Sequence, residues 1–282
     1  MSVRSSFQKF HIPSYNRNAV VQLIAFSGVG FVLVHLVWIT LIVYAVPELR
    51  AHQLTFEYIG LSSLETIGNR WWTIFTYGWC HRGFWEWLSS MLWLYAFGNV
   101  VQNLVGYKQI IPLFVYSVLA GGLAFTGVQF LPAALIPDTT LVMGAQAGIM
   151  GLMAASITLS PKYRIYLSEY FSIPLILLAG IFMILMLINT DFKPATITML
   201  LAGALSGFVF IKLLQNGYQP GAWAYRLYNK MDATFSPAEA YKPKPDRTSK
   251  EEAIDKILDK INERGYHSLT KSEKDQLRET SR

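Results

Sequence analysis

The sequence predicts an all-α integral membrane protein with six spanning helices and a small helical C-terminal tail, and three observations carry that prediction. Apolar stretches long enough to cross a bilayer recur through residues 20–215. Charge is scarce there: residues 1–215 hold eleven Lys/Arg and seven Asp/Glu, against thirteen and eleven in the much shorter 216–282. The last stretch then carries helix-start signatures typical of a water-exposed segment. Over the whole chain 52% of residues are hydrophobic and 15% charged, where a soluble domain carries about a quarter charged.

The elements follow in order. Residues 1–19 form a basic N-terminus (Arg4, Lys9, Arg17) that leads directly into the first apolar run. That run is too long for a signal-peptide core and is expected to remain as a spanning helix. The membrane domain occupies 20–215, with spans near 20–45, 84–104, 109–131, 142–160, 171–189 and 194–215. Lys/Arg in the short connections set the orientation. Arg4, Lys9, Arg17, Lys108, Lys162, Arg164 and Lys212 fall on one side, and Arg50, Arg70, Arg82 and Lys193 on the other with most of the acids. This bias, with a basic tail, places both termini in the cytoplasm of a bacterial-type inner membrane.

The connection over 46–83 is too long for a turn and is dense in Trp, Phe and Tyr (ETIGNRWWTIFTYGWCHRGFWEW). Such side chains favour the membrane–water boundary, so this segment is read as partly embedded, either as an aromatic belt or as a lid. Residues 216–248 read as a Pro-, Gly-, Tyr- and Lys-bearing linker. In 249–282, Ser249 with Glu252 and Thr270 with Glu273 form two capping boxes, and Ile254, Ile257, Leu258 and Ile261 share one helical face. This predicts a small cytoplasmic helical hairpin, a docking module for a complex or simply a solvated element.

Several chemistries lack their motifs. The single cysteine, Cys80, offers neither a disulfide framework nor a cysteine zinc site, and no phosphate loop or HExxH helix is present. No cofactor, metal or nucleic acid is expected; the net charge of +6 lies beside membrane segments. Among the histidines only His35 falls within a span, where bonding to a neighbouring carbonyl is its expected role. Glu86 is the one acid inside a predicted span, and an intramembrane acid is by default a functional candidate.

Two further blocks stand out. GAQAGIMG places Gly144, Gly148 and Gly151 around Gln146, and LLAGALSGF places Gly203 and Gly207 at GxxxG spacing. Small residues so spaced are expected to let helices approach closely.

Taken together, these residues resemble the rhomboid family of intramembrane serine proteases over about residues 70–215. The stretch WWTIFTYGWCHRGFWEWLSSMLWLYAFGNVVQNLVG is similar to that family's loop and second-helix pattern, through Trp72, Thr76, His81, Gly83, Phe84, Met91, Trp93, Leu94, Phe97, Gly98 and Gly106. GAQAGIMG resembles its Gly-x-Ser-Gly-x-x-x-Gly block, and LLAGALSGF its His-Leu-Gly-Gly-x-x-x-Gly-Phe block.

The resemblance implies a rhomboid-like six-helix bundle, and it also implies where catalysis would sit. The serine position is Gln146, whose carboxamide is no nucleophile, and the histidine position is Leu200, which carries no proton. The oxyanion-stabilising positions fall at Glu86 and Ser90, and the loop arginine at Thr73. An ionised Glu86 would oppose a developing oxyanion. The expected function is therefore a catalytically inactive rhomboid-like protein that binds or scaffolds transmembrane segments of other membrane proteins in the lipid bilayer. Gln146 is expected either to fill the space left by the missing pair or to hydrogen-bond Ser90, Glu86 or a partner. The alternative is an active intramembrane endopeptidase with a non-standard site, drawn from Ser89, Ser90, Ser156 or Ser206 with Lys193 as base. A channel or transporter is a third class, marked only by Glu86.

Overall fold

Asn18 opens the first long helix. Its side-chain oxygen accepts from the Val21 amide at 3.1 Å, satisfying one of the free N–H groups at a helix start. Helix α1 then runs Ala19–Val43 without an Asp, Glu, Lys or Arg. The computed structural model describes residues 18–62, 64–131, 141–168, 171–189, 193–224, 257, 259–261 and 269–280. The chain divides into two units, Met1–Asn229 and Lys230–Arg282, and each is described by itself.

In the first unit, α1 is followed by α2 (Glu48–His52), which continues as a π turn (Gln53–Glu57), then by α3 (Leu64–Asn69) and α4 (Thr73–Thr76). The long helices α5 (Phe84–Val105) and α6 (Ile110–Val128) come next, then α7 (Gln146–Leu159). An antiparallel hairpin, β1 (Arg164–Ser168) and β2 (Phe171–Pro174), leads into α8 (Leu175–Asn189), and α9 (Pro194–Gln215) closes the unit. Among the described residues three helical stretches are long and apolar enough to cross a membrane: Ala19–Val43, Tyr107–Val128 and Pro194–Gln215. Helices α7 and α8 are apolar but shorter.

The hairpin corrects the all-α expectation. Residues 171–174 are extended instead of opening the fifth helix, because Pro174 cannot sit inside a helix and the flanking residues pair as strands. Helix α7 likewise begins at Gln146, four residues later than its apolar run. Gly144 holds a φ of +113°, a conformation that breaks the helix before it.

Helix α7 forms the middle of this unit, enclosed by α5, α6 and α9 through buried Ala147, Ile149, Met150 and Leu152. Glycines set how closely it is held. A Cβ on Gly203 would run into the Ala147 carbonyl, and one on Gly207 into the Gly151 carbonyl. A Cβ on Gly148 would collide with the Phe114 ring, and one on Gly151 with the Ser117 side chain of α6. Aromatic residues pin the periphery. Trp93, Phe97 and Phe182 have ring centroids 5.0–5.9 Å apart and join α5 to α8, while Gly98 admits Val20 of α1.

The 46–83 connection is anchored to the bundle. Tyr77 donates its hydroxyl to the Val118 carbonyl at 2.8 Å, and Trp79 meets Phe26 edge-on at 4.8 Å. The outer faces of α1, α8 and α9 present Phe26, Leu33, Ile184, Ile188 and Leu205 uncovered. In water such a surface would drive association; lipid solvates it.

In the second unit, α10 (Lys271–Thr280) starts at the expected capping box. The Thr270 amide donates to Glu273 Oε2 at 2.8 Å, and the Glu273 amide to Thr270 Oγ1 at 3.4 Å. Lys260, on the preceding helical residues, pairs with Glu273 at 3.0 Å. The N-terminal basic residues, the linker from 225 on and the Ser249–Glu252 box lie outside the described residues.

Candidate functional site

The start of α7 is the chemical centre of the first unit. Its 14 residues span about 21 Å at 1.5 Å each, short of the ~30 Å hydrocarbon thickness. Non-helical chain from Leu141 to Ala145 leads into α7, and backbone shielded from water there needs partners. Val142 exchanges two hydrogen bonds with Leu61 (2.8 and 2.9 Å), and the Gly144 amide donates to the Tyr77 carbonyl at 2.9 Å. The Ala145 amide donates to His81 Nε2 at 3.3 Å. The acceptor role at Nε2 places the neutral imidazole's proton on Nδ1. His81 is 0% exposed, and burial pushes its pKa down to about 4.

In front of this turn lies a cavity of about 630 Å³, where the first turns of α5, α7 and α9 meet the end of α8. Glu86, Ser89 and Ser90 reach it from α5, Gln146 from α7, Met186 and Asn189 from α8, and Lys193 and Thr196 from the start of α9; Arg82 and Trp85 stand at its edge. Arg82 donates a guanidinium N–H to the Leu141 carbonyl, and its backbone amide reaches Glu86 Oε2 at 3.4 Å.

Of the positions singled out in the sequence, Gln146, Glu86 and Ser90 therefore share one cavity. Leu200 does not line it; it is buried in α9 one turn beyond Thr196. Gly144 lies in the turn before α7 and not in a helix–helix contact, and a Cβ there would sit 3.1 Å from Glu86 Oε1. The amide of Gln146 forms no hydrogen bond to Ser90 or Glu86 among the described residues, and the space in front of it is open. His35 bonds carbonyls, as expected: its ring nitrogens lie 2.8 Å from the Phe31 oxygen and 3.1 Å from the Arg82 oxygen. Among the described residues no group of three or more His, Cys, Asp and Glu side chains is placed to hold a metal ion.

Sequence reasoning missed Thr196, Asn189 and the cavity-facing role of Arg82. It brought Lys193 to the site only as the base of the alternative endopeptidase reading. The available signal was positional: each of these residues stands at the end of an apolar run, on the same side as the start of α7.

Comparison with known families agrees with this architecture. The Rhomboid domain matches residues 68–216, more than half of the chain. The chain belongs to the rhomboid family and is a multi-pass membrane protein. Residues 242–282 match a separate family of unknown function, DUF6576. No curated protein matches the chain.

Proposed function

We propose that this protein is a rhomboid-like pseudoprotease, a six-helix membrane protein that binds or scaffolds other membrane proteins instead of cleaving them. One observation carries the reading. The cavity where a rhomboid nucleophile would lie is open and holds Gln146, with no imidazole among its lining residues. A carboxamide cannot be deprotonated by a base for attack on a carbonyl, and an ionised Glu86 beside it would oppose charge on an oxyanion. Helices α5, α7 and α8 complete the six spans beside α1, α6 and α9. The positive-inside bias then puts both termini in the cytoplasm of a bacterial-type inner membrane. Residues 249–282 extend the scaffold as a docking hairpin, with the linker as tether.

Affinity purification of the full chain in mild detergent, compared with a chain lacking 249–282, tests the scaffold reading. Discrete membrane-protein partners are expected, some of them lost with the tail. Recovery of no membrane protein in stoichiometric amount contradicts the reading.

An endopeptidase with a relocated nucleophile is the second reading, favoured by one observation: Ser89, Ser90 and Lys193 face the same cavity. Cleavage of a transmembrane reporter that disappears on Ser90→Ala or Lys193→Ala would establish it.

A further inference from the structure

The cavity at the start of α7 presents both signs of charge together with neutral polar groups that the chain's own hydrogen bonding does not use. Arg82 and Lys193 are the basic side chains of its lining, and Glu86, which accepts from the Arg82 backbone amide, is the acidic one. The guanidinium carries five N–H donors, and the bond to the Leu141 carbonyl occupies only part of that set. Ser90 and Thr196 lie buried at the cavity wall, and neither hydroxyl makes a hydrogen bond among the described residues. The first turn of α7 also opens here with no side-chain cap, adding donors and positive potential.

We propose that this cavity binds the head group of a zwitterionic phospholipid carrying a primary ammonium and a phosphate diester. The phosphate sits against Arg82, Lys193 and the α7 start, and the ammonium donates to the Glu86 carboxylate. A purely anionic head group would leave Glu86 as a like charge at the site. A quaternary ammonium has no N–H to donate to it. The volume, about 630 Å³, lies within the usual range for ligand pockets, about 300–1,000 Å³. The surroundings select a lipid over a soluble amino-phosphate. Trp85 is 77% exposed where it lines the cavity, and Leu88 and Leu92, three and seven residues further along the same face of α5, are also uncovered, where acyl chains can lie. The inference concerns only this cavity and needs no protein partner, so it stands or fails separately from the scaffold reading.

Native mass spectrometry of the full chain in detergent tests it, with phosphatidylethanolamine, phosphatidylcholine and phosphatidylglycerol supplied in equal amounts. Phosphatidylethanolamine should be retained at about one per chain, with about tenfold preference, the scale of one charge-assisted hydrogen bond. Glu86→Gln should abolish the preference over phosphatidylcholine, and Arg82→Gln with Lys193→Gln should lower retention of all three. A wild-type competition keeps the test open if a variant does not fold. Excess glycerophosphoethanolamine should displace the bound lipid, and glycerophosphoglycerol should not. Equal retention of the three lipids, an unchanged preference in a folded Glu86→Gln protein, or equal displacement by both competitors overturns the proposal. Glycerophosphoethanolamine raising the unfolding temperature as much as the lipid does would assign the site to a soluble ligand instead.

Discussion

Acidification acts on His81 through the turn it holds. In the fold its imidazole stays neutral down to about 4, while the unfolded chain takes the proton near 6.5. Between these values the unfolded state binds more protons, so stability is intact above pH 6.5 and falls as the pH drops toward 4. The full shift corresponds to about 3 kcal/mol. Thermal unfolding in detergent between pH 7 and pH 4 should show this loss, and His81→Asn should flatten it while lowering stability at pH 7. Gly144, two residues before the start of α7, makes a second demand. At a φ of +113°, Gly144→Ala should cost about 1–3 kcal/mol, read as a lower unfolding temperature with the helical circular dichroism of the native state retained. Gln146 differs from both, since neither packing nor internal hydrogen bonding explains its side chain. Its amide meets the open cavity, where the sequence alone left it either filling the space or hydrogen-bonding Ser90, Glu86 or a partner.

Helix packing places its largest constraint where α9 crosses α7. Gly207→Ala drives a methyl into the Gly151 carbonyl, whereas Gly180→Ala in α8 meets nothing within 4 Å. The first should destabilise by about 1–3 kcal/mol and the second should leave the unfolding temperature unchanged or slightly raised; differential scanning fluorimetry distinguishes them. At α10, Thr270→Ala removes the cap that receives the Glu273 amide, a loss of about 1 kcal/mol. Amide exchange across 271–280 should then quicken about fivefold. The Thr270 amide, then Lys260 and the Thr270 hydroxyl hold the Glu273 carboxyl down at about 2. Its contribution is therefore fully present above the ordinary carboxylate value of 4.5 and is lost progressively as the pH falls from there through about 2. These elements also mark what the sequence could disclose. Continuous apolar runs locate α1, α5, α6 and α9 to within a few residues, and Thr-x-x-Glu spacing locates the start of α10. The β1–β2 hairpin stayed hidden because Tyr, Ile and Phe there suit a membrane helix and a strand alike, leaving Pro174 as the one local signal. The late start of α7 depends on a left-handed glycine, which composition and hydropathy do not register. Glu86, Ser90 and Gln146 could be gathered by resemblance alone, but Thr196 and Lys193 join them only through the depth at which α7 begins.

Across the whole molecule, the proposed reading separates the rhomboid framework from the rhomboid chemistry. Glycines that set the α7–α9 approach and aromatics that join α5 to α8 hold the bundle, and the cavity they enclose persists. Its lining holds an amide, a carboxylate, two basic side chains and the hydroxyls of Ser89, Ser90 and Thr196. On the proposed reading such a site holds a ligand or partner, because the position of the family's nucleophile carries the Gln146 carboxamide. The most direct test is incubation of the purified full-length protein with a serine-reactive fluorophosphonate and, in parallel, with a transmembrane rhomboid substrate in proteoliposomes. Neither labelling nor cleavage is expected, at neutral pH or after prolonged incubation, beside an active rhomboid that gives both. Labelling or cleavage that disappears when Ser89 or Ser90 is replaced by alanine would contradict the account.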